Sequence, residues 1–170
     1  LIPEEYGGLG LGCLEYCLVT EELSRAWMSV GSIIRPMIGM NGLSDAQKKM
    51  YLPRMARGEA LGAFAFSEPG VGSDLSSLTT RARRDGDHWL ISGNKYWCTF
   101  ADGADYILVL ARTDPEAKRH RGITAFMVEK PRGELPKGVS GSPIPKIGYF
   151  GWKTWELAFD GVRVPASAMM

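Results

Sequence analysis

The densest concentration of chemistry-bearing side chains is Ala65-Phe66-Ser67-Glu68-Pro69-Gly70-Val71-Gly72-Ser73-Asp74. It combines two glycines, a proline and four polar side chains directly after a short apolar run. A turn of this composition exposes backbone N–H groups and lets a planar or anionic ligand approach closely. It can equally be a tight turn that merely connects strands. It is not a Walker loop, since no lysine follows the second glycine, and it lacks the three glycines of the dinucleotide fingerprint.

Tyr96-Trp97-Cys98-Thr99 is the second candidate. On a strand, an indole beside a hydroxyl residue can lie against a flat cofactor while the threonine hydrogen-bonds to it, or the same indole can pack in the core. The third candidate is the stretch from Arg112 to Arg121, where Arg112, Lys118, Arg119 and Arg121 outnumber Asp114 and Glu116. Such a loop either meets a phosphate or stands solvated. Neither His88 nor His120 lies near a Ser or Cys in a triad pattern, and paired catalytic carboxylates cannot be picked out. Cys13, Cys17 and Cys98 show no Cys-x-x-Cys spacing and no zinc pattern with the histidines. They read as three reduced, structural thiols of an intracellular protein, and no metal is expected.

The elements that must position these residues change character along the chain. Residues 1–60 read as helical and 61–165 as strands. Leu14, Cys17, Leu18 and Leu23 recur near helical spacing, so a helix is expected from Leu14 to about Trp27. A more apolar helix is expected over Val30 to Met40, kinked or restarted at Pro36. Ser44-Asp45-Ala46-Gln47 is a capping-box pattern that opens another helix. Beyond it, Leu61 to Phe66, Leu78 to Arg83, Trp89-Leu90-Ile91, Tyr96 to Thr99, Tyr106 to Leu110 and Ile123 to Val128 read as strands. Asp85-Gly86 predicts a type I′ hairpin turn and Ser92-Gly93-Asn94-Lys95 a second tight turn. Trp155, Leu157 and Phe159 alternate with Glu156, Ala158 and Asp160, the period of a half-buried strand. Pro131 to Pro145 is expected to be a long loop. The fold class is therefore α+β: a helical segment followed by an antiparallel β-barrel or sandwich.

The chain has 170 residues, with 20 Lys+Arg against 19 Asp+Glu and a formal net charge of +1. That balance gives no support to a nucleic-acid partner, whose usual footprint is basic. Hydrophobic residues at 45% argue against disorder. Uninterrupted apolar stretches fall far short of the ~20 residues of a membrane span, so no membrane partner is expected. The chain opens at Leu1 and stops at Met169-Met170 without a closing element, which reads as a fragment.

Taken together, these residues resemble the acyl-CoA dehydrogenase family, flavoenzymes that introduce an α,β double bond into acyl thioesters. Pro3-Glu4-Glu5-Tyr6-Gly7-Gly8 is similar to the family's early loop, and Gln47-Lys48-Lys49 with Tyr51-Leu52-Pro53 to its helix before the sheet. Phe66 to Asp74 resembles its first signature, and Gly93-Asn94-Lys95-Tyr96-Trp97-Cys98-Thr99 its flavin-facing strand. Lys146-Ile147-Gly148 and Phe159-Asp160-Gly161-Val162-Arg163-Val164-Pro165 are similar to the end of its middle β-domain. The order of the matches is the family's order.

The resemblance implies FAD as cofactor, with Phe64, Phe66, Ser67, Trp97, Cys98 and Thr99 at the flavin. Ser67 would bond the pyrimidine edge of the isoalloxazine, Trp97 would pack against the ring, and Thr99 would bond the N5 region. Ser73 would contact the thioester ligand, and Lys118, Arg119 or Arg121 would lie towards the CoA phosphates. It implies residues 1–60 as the end of an N-terminal helical domain and 61–165 as the middle domain. Residues 166–170 would start a linker to a C-terminal helical domain that carries the catalytic glutamate, so no catalytic residue is expected here. It further implies an acyl-CoA substrate, electron-transfer flavoprotein as acceptor, a homodimer or homotetramer, and the bacterial cytoplasm or mitochondrial matrix. Acyl-CoA oxidases and flavin-retaining DNA-binding stress proteins share these motifs and stand as alternatives, as does a free-standing β-module that binds a partner. Ser67 replaces a more frequent threonine, and Phe100 stands where the family has a small polar residue. Arg35, in an apolar helix, reads as a structurally paired charge rather than a substrate contact.

Overall fold

A computed structural model describes residues 1–32 and 42–170. They form two compact units, one of Leu1–Gly62 with Lys146–Trp152 and one of Ala63–Pro145 with Lys153–Met170.

In the first unit, α1 spans Cys13–Trp27 and α2 spans Asp45–Ala56. Helix α1 opens where the Gly12 N–H donates to the Glu15 carboxylate at 2.9 Å, and Arg25 pairs with Glu21 and Glu22 one turn back. No residue of α1 is buried, and Leu14 and Leu18 stand on its surface. Helix α2 opens at the expected box: the Gln47 N–H donates to Ser44 Oγ at 3.3 Å, and the Ser44 N–H donates to Gln47 Oε1 at 2.9 Å. Its buried face is Gln47, Tyr51, Leu52 and Met55. Gly58, at φ +70°, ends it. The helix expected over Val30–Met40 begins instead as a 3₁₀ turn, Met28–Ser32, and its remainder, with Arg35 and Pro36, lies outside the described residues. The strap Lys146–Trp152 is tied to that turn: Ser29 Oγ donates to the Phe150 carbonyl at 2.6 Å, and Trp152 Nε1 donates to the Ser29 carbonyl at 2.7 Å.

The second unit is a seven-stranded sheet that curls into a half-barrel. Its strands are β1 (Gly62–Ala65), β2 (Arg81–Asp85), β3 (His88–Thr99), β4 (Tyr106–Arg112), β5 (Ile123–Glu129), β6 (Val139–Pro143) and β7 (Thr154–Pro165). The order is β1-β4-β2-β3-β7-β6, with β5 also on β4. Most pairings are antiparallel; β2 and β4 meet in parallel at Arg81 and Arg112, so the sheet is mixed rather than wholly antiparallel. Strand β4 is buried at every position except Leu110 and Arg112, as its apolar run requires. Ile91, Ile107, Val109, Phe126, Leu157 and Val162 centre the core.

Three local expectations change. Asp85 pairs with His88, so the central hairpin residues are Gly86 and Asp87, and only Gly86 has positive φ, +61°. A type I′ turn needs positive φ at both, so this turn has its glycine where type II′ needs one. Ser92-Gly93-Asn94-Lys95 is no turn; it lies inside β3 at a register shift between Ile91 and Gly93. There Gly93 passes so close to Thr80 that a Cβ would fall 2.6 Å from the Thr80 Cα. The loop from Pro131 to Pro145 contains β6, an edge strand of small polar residues whose pairing with β7 supplies the order its composition does not show. Among the described residues no helix is long and apolar enough to cross a membrane.

Candidate functional site

Strand β1 alternates buried Ala63 and Ala65 with half-buried Phe64 and Phe66-side positions, because successive side chains point to opposite faces. The Phe64 and Phe66 rings therefore share the face away from the core, with centroids 4.7 Å apart. After Ala65 the chain leaves the sheet, and a turn closed by mutual bonds between Glu68 and Val71 follows.

Glu68 is buried and fully engaged. Its Oε1 accepts from Lys95 Nζ at 3.0 Å and from the Thr80 N–H at 2.9 Å; its Oε2 accepts from the Thr79 N–H and hydroxyl, each at 2.7 Å. Burial opposes its ionisation, yet the Thr79 and Thr80 groups outweigh it and hold the carboxyl down at about 2. Burial likewise pulls the Lys95 ammonium below the ordinary lysine value, with Glu68 acting against that pull. Lys95 Nζ also donates to the Phe66 carbonyl at 3.0 Å. The neighbouring Tyr96 N–H donates to the Ser67 carbonyl at 2.8 Å, which sets half-buried Ser67 against β3.

Directly after this grip β3 bulges. Lys95 pairs with Leu157 and Cys98 with Trp155, so β3 spends one more residue than β7 over the same rise. The bulge puts Trp97 at φ +61°, an uncommon backbone for an aromatic residue, and leaves it 57% exposed with its ring edge-on to Tyr96 at 5.0 Å. Cys98 points into the core with no exposure, and burial pushes its thiol up to about 12. Thr99 is half-buried, its hydroxyl 3.1 Å from that of Thr154. Phe100 follows at φ +67° and covers Gly103, where a Cβ would fall 2.1 Å from its ring. Such a φ is uncommon for a residue other than glycine, and the absence of a Cβ at Gly103 leaves room for the Phe100 ring.

Ser73 is exposed in the loop before Leu75–Ser77. Beside it Asp74 accepts from the Ser76 and Ser77 hydroxyls, which hold its carboxyl below the usual range. Arg112 is committed to carbonyls, donating to Ser76 at 2.7 Å and to Arg119 at 3.2 Å, so it braces this loop. Lys118, Arg119 and Arg121 stay exposed. Beside Tyr96 an open pocket of about 290 Å³ reaches Pro69, Asn94 and Glu156, where the Ser142 hydroxyl already donates to the Glu156 carboxylate. Among the described residues no cluster of His, Cys, Asp or Glu could hold a metal.

The structure thus brings Phe64, Phe66, Ser67 and the β3 bulge into one neighbourhood through backbone bonds and the Glu68–Lys95 pair. Sequence reasoning missed that pair and Thr154. Lys95 stands in the sequence between Asn94 and Tyr96, and nothing local names its partner.

Comparison with known proteins matches residues 1–59 to the acyl-CoA dehydrogenase N-terminal domain and residues 63–162 to the acyl-CoA dehydrogenase middle domain. The chain belongs to the acyl-CoA dehydrogenase family. Among curated acyl-CoA dehydrogenases it is 44% identical to (2S)-methylsuccinyl-CoA dehydrogenase of Cereibacter sphaeroides, over 99% of this chain and 33% of that protein. It is 42% identical to mitochondrial isovaleryl-CoA dehydrogenase of Pongo abelii, over 99% of this chain and 41% of that protein. The glutaryl-coenzyme A dehydrogenase glutaryl-CoA complex superposes with a TM-score of 0.87 at 36% identity, covering 99% of this chain and 44% of that one. The chain thus spans less than half the length of these acyl-CoA dehydrogenases.

Proposed function

We propose that the protein carrying this chain is an FAD-dependent acyl-CoA dehydrogenase and that this chain supplies flavin and thioester contacts. The observation that carries the reading is Trp97: a bulge holds a large indole exposed and in a left-handed backbone, beside Ser67 and ahead of Thr99. A fold keeps such an arrangement against its cost where a ligand uses it. A flat aromatic group fits these residues. Trp97 would pack on its ring, Ser67 and Thr99 would hydrogen-bond its edge, and Phe64 and Phe66 would wall one side. Cys98 would contribute its backbone alone.

With FAD bound, the chemistry supplied is acceptance of a hydride from the acyl β-carbon. The chain's own part is orientation. A Ser67 hydroxyl donating at the pyrimidine edge favours negative charge there, and Thr99 fixes the opposite edge. Ser73, exposed on the loop before Leu75, would meet the thioester arm. The base that takes the α-proton, a glutamate in the family's pattern, would come from a C-terminal helical domain outside these residues. Electron-transfer flavoprotein as acceptor, a homodimer or homotetramer, and the mitochondrial matrix or bacterial cytoplasm belong to the same reading.

An absorbance spectrum of the full-length protein, before and after anaerobic addition of a panel of acyl-CoAs, tests it. Flavin bands that bleach with one acyl class support the dehydrogenase. Bound flavin that no acyl-CoA bleaches overturns the activity and favours a flavin-retaining relative such as the DNA-binding stress proteins. Bleaching that oxygen rapidly reverses favours an oxidase.

A further inference from the structure

Lys95 and Tyr96, adjacent on β3, grip Phe66, Ser67 and Glu68 on a loop that the sheet itself does not hold. Strand β1 lies beside β4, with β4 and β2 between it and β3, so no ladder joins the two segments. The cross-links are the Lys95 Nζ bond to the Phe66 carbonyl at 3.0 Å, the Tyr96 N–H bond to the Ser67 carbonyl at 2.8 Å, and the Lys95–Glu68 ion pair at 3.0 Å. Glu68 in turn is nailed to Thr79 and Thr80. Both charged side chains are shut from solvent, at 0% for Lys95 and 3% for Glu68.

A buried ion pair is a poor way to gain stability, because the desolvation of both charges offsets their attraction and apolar replacements often match it. It does give direction. An ammonium bonded at once to a backbone carbonyl and a fixed carboxylate sets where that backbone stands, and Lys95 is also the last regular residue before the bulge that presents Trp97.

We propose that Glu68 and Lys95 are positioning residues that set Ser67 against Trp97 and Thr99, and so fix the two sides of the flavin site to each other. This rests on the flavin reading above. The Glu68 carboxylate stays ionised across the neutral range, its carboxyl held down at about 2 by the Thr79 and Thr80 bonds.

The test is the double variant Glu68→Leu/Lys95→Met in the full-length protein, which removes both charges and keeps an apolar filling. The flavin-stripped double variant should still fold, though it should unfold at a lower temperature than the unmodified protein, because Glu68→Leu leaves the Thr79 and Thr80 N–H groups without their acceptor. Its FAD dissociation constant should rise about tenfold or more, with a shifted visible flavin band. Unchanged FAD affinity and an unchanged band in the folded double variant would overturn the positioning role and leave the flavin reading standing. An unmodified full-length protein that binds no FAD would overturn both. Should the double variant fail to fold, Glu68→Gln serves: it keeps shape but turns an amide N–H₂ toward the Thr79 or Lys95 donors. A several-fold loss of FAD affinity supports the role, and no loss overturns it.

Discussion

The hydroxyls of Thr99 and Thr154 lie 3.1 Å apart at the last paired position of β3 and β7. Thr154 is buried and Thr99 half-buried, so the pair joins the sheet core to the proposed flavin edge. Thr154→Val deletes the inner hydroxyl with little change of shape. It should cost about 1 kcal/mol in thermal or urea unfolding and leave the flavin band nearly in place. Thr99→Val should cost a similar amount and shift the band as well. Identical spectra for the two variants would remove Thr99 from the flavin.

Trp97 offers a separation of backbone from ring. Both Trp97→Ala and Trp97→Gly delete the indole, so both should release FAD on dilution to the same extent. Only glycine accepts φ +61° without steric cost. The flavin-stripped glycine variant should therefore be more stable than the alanine variant by about 1 kcal/mol. Equal stability would mean that the bulge relaxes once the ring is gone.

What could be read in advance follows from how local each signal is. The Ser44–Gln47 box, the buried run of β4 and the alternation of β7 are written in neighbouring residues, and the structure has them. The Val139–Pro143 strand is not, because Ser140, Gly141 and Ser142 carry no apolar pattern and owe their order to β7. The bulge at Trp97 was hidden for the same reason, since it exists only as a mismatch between β3 and β7. At the site, the types of Ser67, Trp97 and Thr99 suggested a ligand. What sets Ser67 beside β3 is a non-local bond from the Tyr96 N–H, which no spacing in the sequence displays.

Gly93 shows what the misread tight turn does instead. Its φ is +149°, and a Cβ would fall 2.5 Å from Thr80 Oγ1 and 2.6 Å from the Thr80 Cα. The second contact is backbone, so rotation of a side chain cannot relieve it. Gly93→Ala should destabilise by more than about 2 kcal/mol and disturb the Thr80 N–H that anchors Glu68. Gly70, with open space around it and no positive φ, is the control: Gly70→Ala should stay within about 0.5 kcal/mol. A tolerated Gly93→Ala would contradict the close approach of β3 to Thr80.

Acid should act on the fold through Glu68. Its carboxyl moves from an ordinary 4.5 in the unfolded chain to about 2 in the fold. The unfolded state therefore binds this proton more readily, and the stability Glu68 contributes is fully present above about 4.5. That contribution, on the order of 3 kcal/mol, is lost as pH falls from about 4.5 to about 2. Unfolding free energy measured against pH should fall over this window, and Glu68→Gln should flatten the fall because its amide does not titrate. The variant should start lower at neutral pH, where Lys95 is left with a neutral partner, and the two curves should converge towards pH 2. Parallel curves would show that Glu68 is not the group through which acid opens the sheet.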